Sequence, residues 1–163
     1  MGTCKAAQRQ RGFSYLLALA LIAIVGYTLG QAGLLWKTES QRIREAELMF
    51  VGDQYRRAIE KFLYAQPNVP RYPAELDDLL LDPRFPDTRR YLRKPWRDPV
   101  DPKLAWGLII DPETRGIMGI YSRAAGRPVK QGGFEKPYEA FDNSESYAEW
   151  KFFVPLPEKK PQS

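Results

Sequence analysis

The sequence has no histidine and only one cysteine, Cys4, among its 163 residues. These absences exclude catalytic triads that use histidine, zinc sites built from cysteine and histidine, and any disulfide within the chain. The sequence also has no glycine-rich phosphate-binding loop, and its carboxylate pairs, Asp77 with Asp78 and Asp98 with Asp101, have nothing around them that marks a pocket. We therefore predict that the protein is not an enzyme and has no cofactor and no metal.

The net positive charge is small after the first twelve residues, because acidic side chains offset most of the lysines and arginines. The formal net charge is +5, and Lys5, Arg9 and Arg11 lie before the first long apolar run. The rest of the chain is therefore close to neutral and lacks the electrostatic footprint of a nucleic-acid-binding domain.

Residues 84–97 are a local exception to this near-neutrality. Basic and aromatic side chains alternate there, as they do in many grooves that hold single-stranded nucleic acid. Asp82, Asp87 and Asp98 offset part of the charge. We therefore expect a solvated loop or a salt-bridged contact between neighbouring subunits, and nucleic acid is not an expected partner. The side chains concerned are Arg84, Phe85, Arg89, Arg90, Tyr91, Arg93, Lys94, Trp96 and Arg97.

A long run without charge covers residues 13–36. A helix of this length measures about 36 Å, enough to cross the hydrocarbon core of a membrane. Trp36 and Lys37 at its end suit the membrane interface. We therefore predict a transmembrane helix over residues 13–36. A removable signal peptide is the alternative, because LGQAG, residues 29–33, has small residues at Gly30 and Ala32 in a pattern that resembles a cleavage site.

The helical pattern continues beyond the apolar run, and no proline interrupts it before residue 67. This predicts an amphipathic continuation of the helix over residues 37–66. Charged residues, including Arg42, Arg44 and Glu45, are expected on its exposed face. Gly52 is expected only to weaken the helix, by about 1 kcal/mol relative to alanine. The apolar face is predicted to contain Ile43, Ala46, Phe50, Ala58, Ile59, Phe62 and Leu63.

The segment RGFSYLLALALIAIVG resembles the N-terminus of type IV pilins and of the pseudopilins of type II secretion. That family has a short basic leader that ends in glycine, followed by phenylalanine and a long apolar run. The resemblance implies that residues 1–12 are a leader, which a prepilin peptidase removes between Gly12 and Phe13. It also implies methylation of the new amino group of Phe13, and an apolar segment that is kept as a membrane anchor and later as filament core.

Two departures from the family pattern bear on the role of the protein. Leu17 stands at the fifth mature position, where most members have a glutamate thought to pair with the amino terminus of a neighbour. Its apolar side chain favours a minor subunit near the filament tip. Residues 122–138 offer basic side chains where major pseudopilins hold calcium, an ion that needs several oxygen ligands, so we predict no calcium site.

The rest of the chain resembles the globular part of the major pseudopilins in the segments YPAELDDLLLDPRF, YLRKPWRDPVDP, AWGLII and GIMGIYSRAAGRP. The residues themselves predict a helix over 73–81, two strands joined by a turn at 111–116, and a last strand within 147–156. The tail, residues 157–163, is expected to be disordered. The predicted fold is α+β and pilin-like, with a long helix, first transmembrane and then amphipathic, packed on a small antiparallel sheet within a globular part over residues 67–156.

These expectations together describe a structural, single-pass protein of the inner membrane with its globular part in the periplasm. It would assemble into a filament of a type II secretion or type IV pilus system, in which Arg42 and Arg44 pair with neighbouring subunits. The expected partners are a prepilin peptidase, other pseudopilin subunits and an assembly platform in the inner membrane. Two alternatives stay open, namely a signal-anchored periplasmic binding domain that does not polymerise and a DNA-binding minor pilin.

Overall fold

The computed structural model describes residues 10–66 and 69–156, with the side chains of residues 10–14 and 28–35 outside that description. The chain divides into two compact units, Met1–Ser40 and Gln41–Ser163. Its elements are one long helix, three strands and three short 3-10 helices. The α+β class with an antiparallel sheet is therefore confirmed. The predicted tail, residues 157–163, lies outside the described residues, and so does most of the predicted leader.

Helix α1 spans Gln10–Tyr64, as expected for a stretch that no proline interrupts. In the first unit, the described side chains of residues 15–27 are apolar or tyrosine and are all exposed. Among the described residues, no helical stretch combines the length and the apolar character that crossing a membrane requires. The predicted span over residues 13–36 falls partly on the side chains outside the description and stays a prediction.

In the second unit, one face of α1 forms the centre of the hydrophobic core. The apolar face is confirmed toward the helix end, but it is wrong at Ile43 and Phe50, which are 60% and 55% exposed. Leu48 lies two residues from Phe50 and therefore roughly 160° away around the helix, and it is the side of Leu48 that the rest of the unit covers. Ala46 is exposed as well. The buried face comprises Leu48, Val51, Tyr55, Ala58, Ile59, Phe62 and Leu63.

The sheet is antiparallel, in the order β1 (Gly107–Ile110), β2 (Ile117–Tyr121) and β3 (Lys151–Phe153). The predicted turn between β1 and β2 is confirmed, with the backbone N–H of Asp111 donating to the carbonyl of Gly116 over 2.9 Å. The Asp111 carboxylate accepts from the N–H and hydroxyl of Thr114, which closes the turn. Ile120 and Phe152 pair across β2 and β3 and are fully buried in the core.

Two predicted elements are shorter than the sequence pattern suggested. Residues 73–81 contain only a 3-10 helix, Leu76–Leu79, because the Asp78 carboxylate accepts from the N–H groups of Ala74 and Glu75 and the chain then turns toward residue 89. The last strand is limited to β3. Ser146 caps a 3-10 helix, Tyr147–Glu149, where the strand was expected to begin. The described residues 69–106 contain no strand and no α-helix, so the α-helix expected over residues 73–81 is wrong apart from the short 3-10 segment Leu76–Leu79.

Candidate functional site

An open groove of about 880 Å³ lies along α1 in the second unit. One wall is the exposed side of the helix between Arg42 and Arg57, and the other is the segment 129–138. Ala46, Met49 and Phe50 provide apolar floor, with charged side chains around it. Among the described residues no group of three or more metal-ligating side chains occurs. The groove therefore combines an apolar floor with charged walls.

The wall at residues 129–130 is held to the helix by a buried carboxylate. Glu45 is 2% exposed and accepts from the backbone N–H of Val129 over 2.7 Å and of Lys130 over 2.9 Å. The Tyr147 hydroxyl donates to the same carboxylate over 2.7 Å. Burial, followed by the hydrogen bond to Glu45, raises the pKa of Tyr147 to about 12. The expectation that Glu45 lies on the exposed face of the helix is therefore wrong.

The opposite end of the same wall rests on a second charged cluster. The Tyr138 hydroxyl donates to Asp53 over 2.6 Å, and Arg56 donates from its Nε to the Tyr138 oxygen over 3.0 Å. Arg57 pairs with the other Asp53 oxygen at 2.6 Å. Burial, and then the hydrogen bond to Asp53, raises the pKa of Tyr138 to about 12. The segment 129–138 is thus fixed to α1 at two points, which makes the groove a preformed surface.

The basic stretch, residues 84–97, begins with an arginine that holds the fold together. Arg84 donates to both oxygens of Asp82 and to the carbonyl of Phe62, and its guanidinium lies 3.6 Å from the centre of the Phe62 ring. Asp82 also accepts from the Tyr91 hydroxyl. Burial raises the pKa of Asp82, but the hydrogen bonds from Arg84 outweigh it and leave that pKa below its usual value. Arg84 therefore supports the fold and is not available to a ligand.

Because the pKa of Asp82 is lowered in the folded state, the free energy of unfolding depends on pH. A carboxyl whose pKa is lower in the folded state stabilises it above the unfolded pKa, about 3.9, and loses this effect as pH falls through the folded value. Asp82→Asn should lower the free energy of unfolding at pH 7 by about 2 kcal/mol, because Arg84 loses a charged hydrogen-bond acceptor. It should also make the loss of stability smaller as the pH falls through the pKa of Asp82. Urea titrations at several pH values measure this. Asp87→Asn, at an exposed aspartate of the same loop, is the matched control, and equal pH profiles for the two variants would contradict the prediction.

Two of the remaining cations of the stretch lie over aromatic rings. Arg89 lies over Phe85 at 3.7 Å and Lys94 over Trp96 at 3.9 Å. Trp96 also meets Phe50 edge to face at 6.1 Å. The rings on which nucleic acid bases would stack are thus occupied by the protein itself, while the cations point to the surface.

The structure does not bring the predicted assembly residues together. Gly12 and Phe13 lie in α1 with side chains outside the description, and Leu17, in the first unit, is 53% exposed. Arg42 borders the groove, whereas Arg44 lies roughly 160° away around the helix, beside Tyr147. Within the described part of the chain, neither arginine forms an ion pair.

The burial of Glu45 and the exposure of Phe50 were not predicted from the sequence. Both residues line the groove. A spacing of seven residues between Ile43 and Phe50, with charges between them, was the available signal of a separate exposed strip. Glu45 gave no signal, since its acceptor role depends on backbone groups distant in sequence.

Comparison of the chain with protein-family models, with curated proteins and with solved structures gives no match. Function is therefore inferred from the residues and from the geometry of the two units.

Proposed function

We propose that the chain is a pilin-like structural subunit of a type II secretion or type IV pilus system. It is made with a basic leader over residues 1–12, held in the inner membrane by residues 13–36, and carries its globular part in the periplasm. Prepilin peptidase cuts after Gly12, and the subunit then joins a short filament with other pseudopilins on an inner-membrane platform. Its work is mechanical support of protein transport.

The observation that carries this proposal is the apolar exposed surface of residues 15–27. These side chains are exposed on every side of the helix, and none is charged. A helix that is apolar all round needs a membrane or other helices to cover it. Both environments are available to a subunit that is first anchored and then assembled. The same helix α1 supplies the core of the second unit, which favours retention of the apolar segment over its removal.

Charge placement is consistent with a segment that moves between two apolar environments. Leu17 has no charge to neutralise in lipid or in a filament core, whereas a glutamate there needs a partner. Without such a partner, contacts between subunits must come from elsewhere on the chain. This favours a minor subunit whose position in the filament depends on its globular part.

A test of the proposal is the N-terminus of the protein made in cells with and without prepilin peptidase. Intact mass and N-terminal sequencing should give a chain that begins at Phe13 only when the peptidase is present. Gly12→Val should block this processing completely, because the leader no longer ends in glycine. Ala32→Val is the matched control, since it alters only the alternative cleavage site of a signal peptide.

A chain that keeps Gly12 in the presence of the peptidase, or that begins at Gly33, would overturn the proposal. A mass increase of one methyl group on the processed chain would show that Leu17 is compatible with methylation of Phe13.

The second candidate function is a signal-anchored domain that binds a partner without polymerising. The apolar side chain of Leu17 favours it, because the pairing of a glutamate with a neighbouring amino terminus is lost. Cleavage between Gly12 and Phe13 distinguishes the two candidates, because a signal-anchored domain has no need of it.

A further inference from the structure

We propose that the groove along α1 binds one molecule of a lipid that has an anionic phosphate head and a single acyl chain. The acyl chain lies on the apolar floor, and the phosphate binds cations and backbone N–H groups of the walls. The proposal goes beyond the proposed function, which assigns no ligand to the second unit.

The size of the groove fits one lipid molecule better than a protein helix. Its volume of about 880 Å³ falls within the roughly 300–1,000 Å³ of sites that hold a single small molecule. Its helix wall, from Arg42 to Arg57, is about 22 Å long. The hydrocarbon core of a bilayer is about 30 Å thick and two acyl chains deep, so one chain of about 15 Å fits within this length together with its head. A helix of the same length and about 10 Å across has roughly twice the volume of the groove and could not be enclosed by it.

The floor offers an exposed apolar surface to the acyl chain. Phe50 is 55% exposed, Ala46 is exposed and Met49 is partly exposed. The Phe50 ring meets Trp96 edge to face at 6.1 Å, which holds it in place. Covering this surface with an apolar chain removes it from water and is favourable, whereas a free phosphate would leave it uncovered.

The charge of the walls is complementary to an anionic head. Of the three carboxylates that line the groove, Asp53 is paired with arginines and Glu45 is buried, which leaves Glu135 as the exposed one. Three exposed cations of the walls form no ion pair within the described residues, and they are Arg42, Lys130 and Lys136. The groove therefore favours an anion.

One wall also contains backbone N–H groups that the protein does not use. Gly132 and Gly133 are exposed, and their N–H groups donate to no acceptor within the part of the chain that the structure describes. Gly133 has a φ of +74°, and nothing lies within 4 Å of the place where its Cβ would be, so a ligand can approach the backbone closely. Successive N–H groups in such a conformation commonly bind anions. Together with Lys130 they can form charge-assisted hydrogen bonds to a phosphate.

The test reconstitutes the full-length chain in nanodiscs of phosphatidylcholine and adds lysophosphatidylglycerol with a photoreactive group in its acyl chain. Illumination and mass spectrometry of peptides then map where the lipid is attached. We expect attachment at Met49 and Phe50, and also at residues 15–27, whose exposed apolar side chains serve as the reference for any lipid. The same chain on lysophosphatidylcholine, whose head has no net charge, should attach about tenfold less at the groove and equally at residues 15–27.

Two variants test the walls and the floor separately. Arg42→Glu combined with Lys130→Glu should lower attachment at the groove about tenfold and leave residues 15–27 unchanged. Ala46→Glu places a carboxylate on the floor at an exposed helix position and should have the same effect. Lys103→Glu combined with Arg123→Glu, at exposed cations that do not line the groove, is the matched control and should change neither site. Urea midpoints of all variants should agree, since the altered side chains are exposed.

Equal attachment of the two lipids at the groove, or attachment that neither variant reduces, would overturn the proposal. Unlabelled lysophosphatidylglycerol should displace the photoreactive lipid. Displacement by glycerol phosphate at the same concentration would indicate a site for phosphate alone, and displacement by an acidic amphipathic peptide at a lower concentration would indicate a protein partner. Either of these two results would overturn the lipid site. Processing at Phe13 does not enter this measurement, so failure of the lipid site leaves the proposed function standing.

Discussion

Glu45→Ala should lower the free energy of unfolding of the second unit by about 3 kcal/mol. The variant leaves the backbone N–H groups of Val129 and Lys130 and the hydroxyl of Tyr147 without their shared acceptor. Each buried donor that loses its partner costs about 1–3 kcal/mol, although part of this is recovered as water enters the space. The loss should appear as earlier unfolding in urea, followed by the fluorescence of the fully buried Trp150.

Glu47→Ala is the matched control, because it removes an exposed glutamate from the same helix. We expect it to change the free energy of unfolding by less than about 0.5 kcal/mol. Glu45→Gln should fall between the two, since the amide oxygen still accepts but the amide nitrogen meets other donors. Equal effects of the two alanine variants would show that the Glu45 carboxylate does not hold the segment 129–138.

The regions that local chemistry determines were predictable from the sequence. The turn at residues 111–116 has an aspartate that bonds its own backbone, a proline and a glycine, and strand-forming residues stand on both sides. Helix α1 follows from a long stretch without proline. In both cases the decisive interactions are between residues close in sequence, so the pattern contains the information.

The side of α1 that is buried was only partly predictable, because it depends on where the sheet lies. Ile43 and Phe50 fit a helical apolar stripe as well as Leu48 and Val51 do. The sequence does not say which stripe β2 and β3 cover. Glu45 is harder still, since the backbone N–H groups that donate to its carboxylate are 84 and 85 residues away and are not specific to any one residue type.

The loop beside α1 has a charge pattern that was predictable and a position that was not. The basic stretch, residues 84–97, is visible as a charge pattern, and contact with a neighbouring subunit was one of its expected roles. Its position depends on how Trp96 meets Tyr55 of α1, which only the folded unit shows. The predicted processing site at Gly12 and Phe13 is different again, because it depends on recognition of a linear segment by a peptidase.

Gly52→Leu should lower the free energy of unfolding by about 3 kcal/mol or more, although leucine is by far the better helix former. The Phe152 ring of β3 packs directly on the helix backbone at Gly52, so a Cβ there would lie 2.5 Å from three ring atoms. The ring has little room to move, because the rings of Phe141 and Tyr138 lie 5.3 and 5.5 Å from its centre. The close approach of helix and sheet therefore depends on the absence of a side chain.

The two tendencies at Gly52 act in opposite directions, which makes the sign of the change informative. Propensity alone predicts a gain of about 1 kcal/mol for Gly52→Ala, whereas the contact with Phe152 predicts a loss of about 2 kcal/mol. Gly26→Ala is the matched control on the same helix, since nothing lies within 4 Å of its added Cβ. It should leave the urea midpoint of the second unit unchanged. A gain of stability in Gly52→Ala would contradict the packing of β3 against α1, because a Cβ fits at this position only if the Phe152 ring lies elsewhere.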